Sequence, residues 1–390
     1  MRIAILVFSP LAADARVLRQ VECLRQHHEV MIVAQNPAPA DLWGADLRPL
    51  PPDSWLPQKM NALRRRAGVH AGMKIRDFLG RLTAHYRFAL RSLRTFRPDL
   101  ILCNELHPMS VSRDYHRASG CPVILDLHEF YPCDSISGTS VERYDRPNTD
   151  WALRDAAKWA AGAVTVNEMI AQRYRDDYGL DCGVLYNAPR LQQPPVFRPV
   201  NPAQMELVHV GVIHAERRPE VMAEGVVMAG DPWRLHFYLA GDQQRIASFR
   251  AHWAAHGGGR VIVHETLPVD QIEATIAQYD LGISMIPTIS WNWLMSSPNK
   301  FFSYLAAGLG MILGPKPWKE MMNRKWDIAE MTRGFEAADL AGTLRSLTPE
   351  RINQLKQHAV AASAFLNGNV EGEKLLALCA RVAATNGAAA

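Results

Sequence analysis

The chain repeats one pattern twice: short apolar runs separated by stretches with helical periodicity. In the first half the apolar runs fall at 3–8, 30–34, 100–103, 122–127, 163–166 and 183–185, with helical patterns at about 14–26, 72–96, 144–160 and 169–178. Near-continuous apolar runs of this length suit strands buried on both faces, and the helices between them supply the crossovers that a parallel sheet needs. Residues 189–202, Pro-Arg-Leu-Gln-Gln-Pro-Pro-Val-Phe-Arg-Pro-Val-Asn-Pro, break the alternation. Proline lacks the N–H that a helix interior or a central strand requires, so this stretch reads as a linker. The alternation then restarts, with strands at 206–211, 234–240, 261–264, 281–285 and 310–314 (the last of them) and helices near 219–229, 244–256, 270–279, 349–365 and 370–383. The expected fold is α/β: two doubly wound Rossmann-like domains, at 1–190 and 203–369, facing across a cleft, with ligands at the carboxyl ends of the strands.

Composition narrows the class. A chain of 390 residues can build two cores, and 48% apolar with 21% charged residues describes a globular protein rather than a disordered one. Six scattered cysteines, with no C-x-x-C pair, suggest neither a disulfide framework nor a zinc site, and point to a reducing, cytoplasmic setting. The opening Met1-Arg2-Ile3-Ala4-Ile5-Leu6-Val7-Phe8 reads as a first strand rather than a signal peptide. No run approaches the roughly 20 apolar residues that span a bilayer. The net charge of +4 conceals a cluster: from Lys59 to Arg97 there are eleven Lys or Arg against one acid, Asp77. Such a cluster suits an anionic partner, a membrane surface or a phosphorylated acceptor ahead of nucleic acid, or else is a solvated arginine-rich face.

Residues 296–308, Ser-Ser-Pro-Asn-Lys-Phe-Phe-Ser-Tyr-Leu-Ala-Ala-Gly, read as a loop entering a short buried helix. Ser297 suits the N-cap, Pro298 the first helical position and Gly308 the far end, while Phe301, Phe302 and Leu305 form the inward stripe. Lys300, one turn in, and the positive end of the helix make a seat for a phosphate; an ordinary capped core helix fits the same residues. Asp126-Leu127-His128-Glu129-Phe130-Tyr131-Pro132 follows a strand, and its carboxylates can orient the imidazole and shift its pKa, although a structural histidine also fits. No second histidine completes H-E-x-x-H, and no D-x-D pair appears, so neither a metal nor a cofactor is expected. Asn104-Glu105-Leu106-His107-Pro108 closes another strand, as an acceptor-side lining (Asn104, Glu105, His107) or a polar turn. Trp291 and Trp293 could floor a sugar pocket or simply pack.

Ser-Pro-Asn-Lys, the aromatic pair and Tyr-Leu-Ala-Ala-Gly resemble the donor-nucleotide segment of family 4 glycosyltransferases of the GT-B fold. The resemblance places Ser297, Asn299 and Lys300 at the donor diphosphate. The positions of the family's two glutamates, one of which holds the ribose hydroxyls, fall here on Met295 and Ser303. Residues 14–20 with His28-Glu29-Val30 resemble the family's first loop and helix, with Ser9-Pro10-Leu11-Ala12-Ala13 where glycines are usual. His128 falls where a family histidine contacts the donor sugar, which implies a catalytic group of His128, Asp126 and Glu129. Residues 208–218 resemble the loop that presents basic groups to the diphosphate, so Gly211 and Arg217 join the donor set, with Val212 replacing a customary arginine. Glu265 falls among the residues that surround the nucleobase, and the final helix, 370–390, would cross back to the first domain.

The implied activity is transfer of a sugar from a nucleotide-sugar donor to a hydroxyl of a glycan or lipid-linked acceptor, with retention, in cell-surface polysaccharide or glycolipid synthesis. Domain closure would complete the site, and residues 59–97 would dock on an anionic membrane surface at the cytoplasmic face, with no nucleic acid involved. Loss of both acidic positions leaves three alternatives: a CMP-activated acidic sugar as donor, a catalytically silent GT-B subunit, or another GT-B chemistry such as epimerisation of a nucleotide sugar.

Overall fold

A computed structural model describes residues 1–35, 44–51, 80–133 and 140–387. It divides into two compact units, Met1–Tyr186 with Glu371–Ala390, and Asn187–Val370.

In the first unit β1 (Arg2–Pro10), β2 (Glu29–Gln35), β3 (Asp46–Pro49), β4 (Leu100–Asn104), β5 (Val123–Leu127), β6 (Gly162–Thr165) and β7 (Cys182–Val184) form one sheet in the order β3-β2-β1-β4-β5-β6-β7. Every pairing is parallel, with Ile5 of β1 opposite Ile32 on one side and Leu102 on the other. The helices are α1 (Ala15–Leu24), α2 (Ala84–Phe96), α3 (Met109–Ser119), α4 (Ser140–Ala156) and α5 (Glu168–Tyr178). Asp14 caps α1 by accepting from the N–H groups of Arg16 and Val17. The long C-terminal helix, Gly368–Gly387, contributes Leu375, Leu378, Cys379 and Val382 to the same core as Ile3, Ile5 and Val7.

The second unit carries β8 (Met205–Val212), β9 (Trp233–Ala240), β10 (Val261–His264), β11 (Leu281–Ser284), β12 (Gly310–Leu313) and β13 (Ala329–Met331), in the parallel order β10-β9-β8-β11-β12-β13. Its helices are α6 (Pro219–Ala229), α7 (Gln243–His256), α8 (Ile272–Ile276), α9 (Trp291–Met295), α10 (Asn299–Ala306), α11 (Pro317–Trp326), α12 (Ala337–Ser346) and α13 (Pro349–Ser363); the C-terminal helix is α14. The proline-rich stretch 189–202 holds no helix and only an isolated bridge at Asn201, and it belongs to this unit. Val200 enters the core, and its N–H donates to Asn353 Oδ1 at 2.8 Å.

Helix α10 is locked to the sheet by one close approach. A β-carbon on Gly282 of β11 would lie 2.2 Å from ring carbons of Tyr304, so only glycine admits that ring, and the Tyr304 hydroxyl donates to the Ile283 carbonyl at 3.1 Å. Phe301 and Phe302 pack edge-on at 5.2 Å, and Trp318 of α11 lies 5.0 Å from Phe301. The helix ends as its sequence suggests: Gly308 is left-handed (φ 72°), its N–H donates to Leu305 O at 3.0 Å, and the Leu309 N–H reaches Tyr304 O at 3.0 Å.

Four sequence expectations need correction. The N-cap of α10 is Pro298, not Ser297, and it makes no side-chain cap bond; the helix enters one residue later than the capping pattern suggests. β3, an edge strand beyond β2, is absent from the expected strands, because its exposed alternation is weak. β12 is not the last strand, since β13 follows at the opposite edge, too short to give a periodic signal. The helix expected at 72–96 is observed as α2 from Ala84, while 72–79, and with them Lys74, Arg76 and Asp77, lie outside the described residues, as do Lys59 and Arg64 to Arg66.

Candidate active site

In each sheet the strand order reverses beside the first strand of the unit, between β1 and β4 and between β8 and β11. Loops leaving the carboxyl ends of the strands diverge at such a point, which is where ligands bind in open α/β sheets. Sequence-predicted site residues gather at both points.

In the second unit, β8 ends at Gly211-Val212, β11 at Ser284 and β12 at Leu313. Lys300, the second residue of α10, brings its ammonium over this edge, and a β-carbon on Gly211 would lie 2.9 Å from Nζ. Buried His209 donates through Nδ1–H to the Ile283 carbonyl at 2.9 Å, so its bare Nε2 faces Lys300 Nζ at 3.4 Å and accepts from it. Arg217 arrives on the short turn after β8 and lies 6.0 Å from the centre of the Trp293 ring. Lys316 Nζ donates to the Trp293 carbonyl at 2.6 Å, and Lys319 Nζ to the Ser284 carbonyl at 3.0 Å.

This group has a one-sided charge. Burial, then the neighbouring Arg217 and Lys316, pushes Lys300 down to about 7. Burial alone takes Lys316 to about 8, and burial with Lys316 and Lys300 holds Lys319 well below the usual lysine value. Burial and then the charge of Lys300 hold His209 well below the usual histidine range, so its imidazole is neutral. Among the described residues no carboxylate lies within ion-pair distance of Arg217, Lys300, Lys316 or Lys319. An arrangement of desolvated cations at a strand-end crevice is suited to anionic groups such as a diphosphate, which charges of this kind attract more strongly than in water.

The other donor-side residues divide. Ser303 donates to Glu273 Oε1 of α8 at 2.7 Å, so a carboxylate absent from the sequence position is delivered by a neighbouring helix. Asn299 is exposed and accepts from Asn187 Nδ2 at 2.6 Å, while Ser297 is buried behind the start of α10. Glu265 is not brought to the group: it follows β10 at the sheet edge, is 86% exposed and pairs with Arg250 at 2.9 Å.

In the first unit the ends of β1, β4 and β5 bring Asp14, Asn104, Glu105, Asp126 and His128 together. Asp126 is fully buried and held by Arg16, whose Nε and Nη2 donate at 2.8–3.1 Å, and by Gln20 Nε2; Arg16 Nη1 also donates to the Leu185 carbonyl at 2.7 Å. The carboxylate of Asp126 is thereby committed to a forked ion pair, and its Oδ2 stands 3.9 Å from His128 Nε2 as a fixed charge. His128 Nε2 lies 3.2 Å from Asn104 Oδ1, and Nδ1 lies 3.9 Å from Glu105 Oε1. Burial lowers the His128 pKa, opposed by Asp126, so the ring is neutral at pH 7. Asn104 Nδ2 is buried with no partner among the described residues, and Glu105 holds a left-handed backbone (φ 65°), the kind of conformation retained where a site demands it. Glu129 is exposed; its carbonyl accepts from the Tyr174 hydroxyl at 2.5 Å, and the carboxylates near His128 are those of Glu105, Asp126 and Asp14. His107 is 77% exposed, with Nδ1 3.9 Å from Glu105 Oε2.

Asp14, Glu105 and His128 offer three ligand atoms within 4.8 Å of one another, enough to hold a divalent cation, although the Asp14 side chain already caps α1. Sequence reasoning passed over Asp14 and Arg16 as site residues, and over Lys316, Lys319 and Glu273. Lys316 and Lys319 carry a signal, since Gly-Pro-Lys-Pro-Trp-Lys directly follows the carboxyl end of β12. Glu273 carries none, because only the packing of α8 on α10 brings it to Ser303.

Residues 14–192 match the model of Glycosyltransferase Family 4. No curated protein matches the chain in sequence. Among solved structures, HepE of Anabaena in complex with UDP is similar with a TM-score of 0.70 at 12% identity, over 98% of this chain and 100% of that one. Sucrose-phosphate synthase of Thermosynechococcus elongatus gives 0.71 at 12% identity, over 99% and 100%. The lipopolysaccharide outer core galactosyltransferase WaaB gives 0.66 at 11% identity, over 97% and 99%. The fold of all three and the matched domain agree: the chain is a glycosyltransferase of the GT-B fold, with the family 4 glycosyltransferase domain over residues 14–192.

Proposed function

We propose that the chain transfers a sugar from a uridine diphosphate donor to a hydroxyl of a glycan or lipid-linked acceptor, with retention of anomeric configuration. The observation that carries this reading is the Lys300 ammonium, set against Gly211 and neutral His209 at the strand-end crevice near Arg217, with no carboxylate at ion-pair distance among the described residues. As the bond from the anomeric carbon to the diphosphate oxygen breaks, its electron pair stays on that oxygen, and fixed cations stabilise the developing charge. Lys300 and Arg217 supply that charge, and the acceptor oxygen bonds the anomeric carbon from the face the diphosphate leaves while its proton passes to the departing diphosphate oxygen. Ser303 with Glu273 takes the place of the missing ribose glutamate. His128, oriented by Asn104 and the fixed charge of Asp126, offers its neutral ring to the transferred sugar or acceptor. The structures of HepE with UDP and with UDP-glucose support uridine, and the lipopolysaccharide role of WaaB supports a cell-surface glycan acceptor.

Docking on an anionic membrane belongs to the same proposal. Arg87, Arg91 and Arg94 recur at helical spacing on α2, all exposed and without a carboxylate at ion-pair distance among the described residues. The deciding test of the activity is turnover of a UDP-sugar panel with purified protein. Release of UDP that depends on an added glycan or lipid acceptor and is lost in Lys300→Met supports the proposal; release unaffected by that change removes the site assignment.

A further inference from the structure

Lys316 and Lys319 lie beside the proposed diphosphate seat but are more than it needs. A nucleotide-sugar diphosphate is esterified at both ends and carries about two negative charges, which Lys300 and Arg217 already balance. Lys316 is 3% exposed and Lys319 is 1% exposed, yet among the described residues each meets only neutral acceptors, the Trp293 carbonyl for one and the Ser284 carbonyl and hydroxyl for the other. Lys356 of the same unit shows what a structural lysine looks like at equal burial: it is also 3% exposed, and Asp280 holds it at 2.7 Å. Burying an ammonium without an anion costs several kcal/mol, so two such residues side by side mark a site shaped for a charge that arrives with a ligand.

Resting on the proposed donor site, we infer that Lys316 and Lys319 bind a carboxylate on the transferred sugar, which makes the donor a nucleoside diphosphate uronate. The Lys316 ammonium donates to the Trp293 backbone carbonyl, and the indole of that residue lies 6.0 Å from the Arg217 guanidinium, so Trp293 joins Lys316 to the proposed diphosphate seat. An indole gives a flat apolar face to a pyranose ring, and the neighbouring ammonium meets a charged substituent at the ring edge. An ammonium has three donors; Lys316 uses one on the Trp293 carbonyl, which leaves two for a ligand oxygen. Burial lowers the Lys316 pKa to about 8, and a bound carboxylate would raise it and keep the ammonium charged well above neutral pH.

The test is isothermal titration of UDP, UDP-glucose and UDP-glucuronate, the two sugars differing only in the carboxylate, into the wild-type chain, Lys316→Met and Lys316→Arg. The wild type is expected to bind UDP-glucuronate at least tenfold more tightly than UDP-glucose, Lys316→Met to bring that ratio to about one, and Lys316→Arg to retain most of it. Equal affinities for the two sugars in the wild type, with UDP bound, overturn this inference and leave the donor site standing. Failure of all three to bind overturns the donor site as well. The wild-type ratio decides the matter even if the methionine variant does not fold.

Discussion

Gly211 and Lys300 share one space: the place of a β-carbon on the glycine lies 2.9 Å from the ammonium of the lysine and 3.2 Å from Nε2 of His209. The bare backbone at the end of β8 is what lets Lys300 reach the strand ends. Gly211→Ala should therefore push the flexible lysine tip aside, weaken UDP binding roughly tenfold, equivalent to about 1.4 kcal/mol, and leave the melting temperature nearly unchanged. Titration calorimetry beside a thermal melt checks this, and unaltered affinity would show that the ammonium is not where the diphosphate sits.

Binding should take up protons. Lys300 sits near 7 in the free protein, surrounded by Arg217, Lys316, Lys319 and neutral His209, and a bound diphosphate favours its charged form. Affinity should hold steady below about pH 6, where the lysine is already charged, and fall as pH rises through 7, approaching about tenfold per pH unit for each proton linked. Without ligand the sign is opposite for stability. A lysine whose folded pKa is depressed destabilises the fold most below that pKa, and the deficit shrinks as pH climbs toward its unfolded value. Calorimetry at pH 8 in buffers of different ionisation enthalpy measures the uptake; a pH-independent affinity from 6 to 9 would contradict the account.

Asp126 and His128 should separate structure from chemistry. Asp126→Ala leaves the buried guanidinium of Arg16 uncompensated and should cost about 3–5 kcal/mol of first-unit stability in urea unfolding. His128→Ala removes a ring that is 16% exposed and holds no committed ion pair, so it should melt close to the wild type while turnover falls about 100-fold or more. The reverse pattern, a stable Asp126→Ala and an active His128→Ala, would show that the roles are misassigned.

The arginine stripe of α2 gives a separate prediction. Arg87, Arg91 and Arg94 together are worth about 1 kcal/mol each at an anionic surface. The chain should sediment with phosphatidylserine vesicles at low salt, and Arg87→Glu with Arg91→Glu and Arg94→Glu should stay in the supernatant. Equal recovery of both proteins on neutral and anionic vesicles would remove the membrane role.

Strand-length apolar runs made both sheets readable, since Ile3–Leu6 or Leu281–Ile283 can only be buried on both faces. Helix α10 was readable because Gly308 and the aromatic pair are local signals, although its cap fell on Pro298. What escaped depends on tertiary approach. That Gly282 makes room for Tyr304, that Arg16 occupies Asp126 across 110 residues, and that Glu273 meets Ser303 all follow from packing between elements distant in sequence. Lys316 and Lys319 look like surface lysines at the start of a helix until the neighbouring β11 and α9 bury them.

The most direct measurement is thermal shift of the purified chain with UDP, GDP, ADP, dTDP and CMP, repeated on Lys300→Met and Arg217→Met. The expected result is stabilisation by UDP above the others, by about 2.7 kcal/mol at one hundred times its dissociation constant, and loss of that shift in both variants. Stabilisation by CMP alone would move the donor to a monophosphate-activated sugar, and no shift with any nucleotide, or a UDP shift that survives both substitutions, would contradict the account.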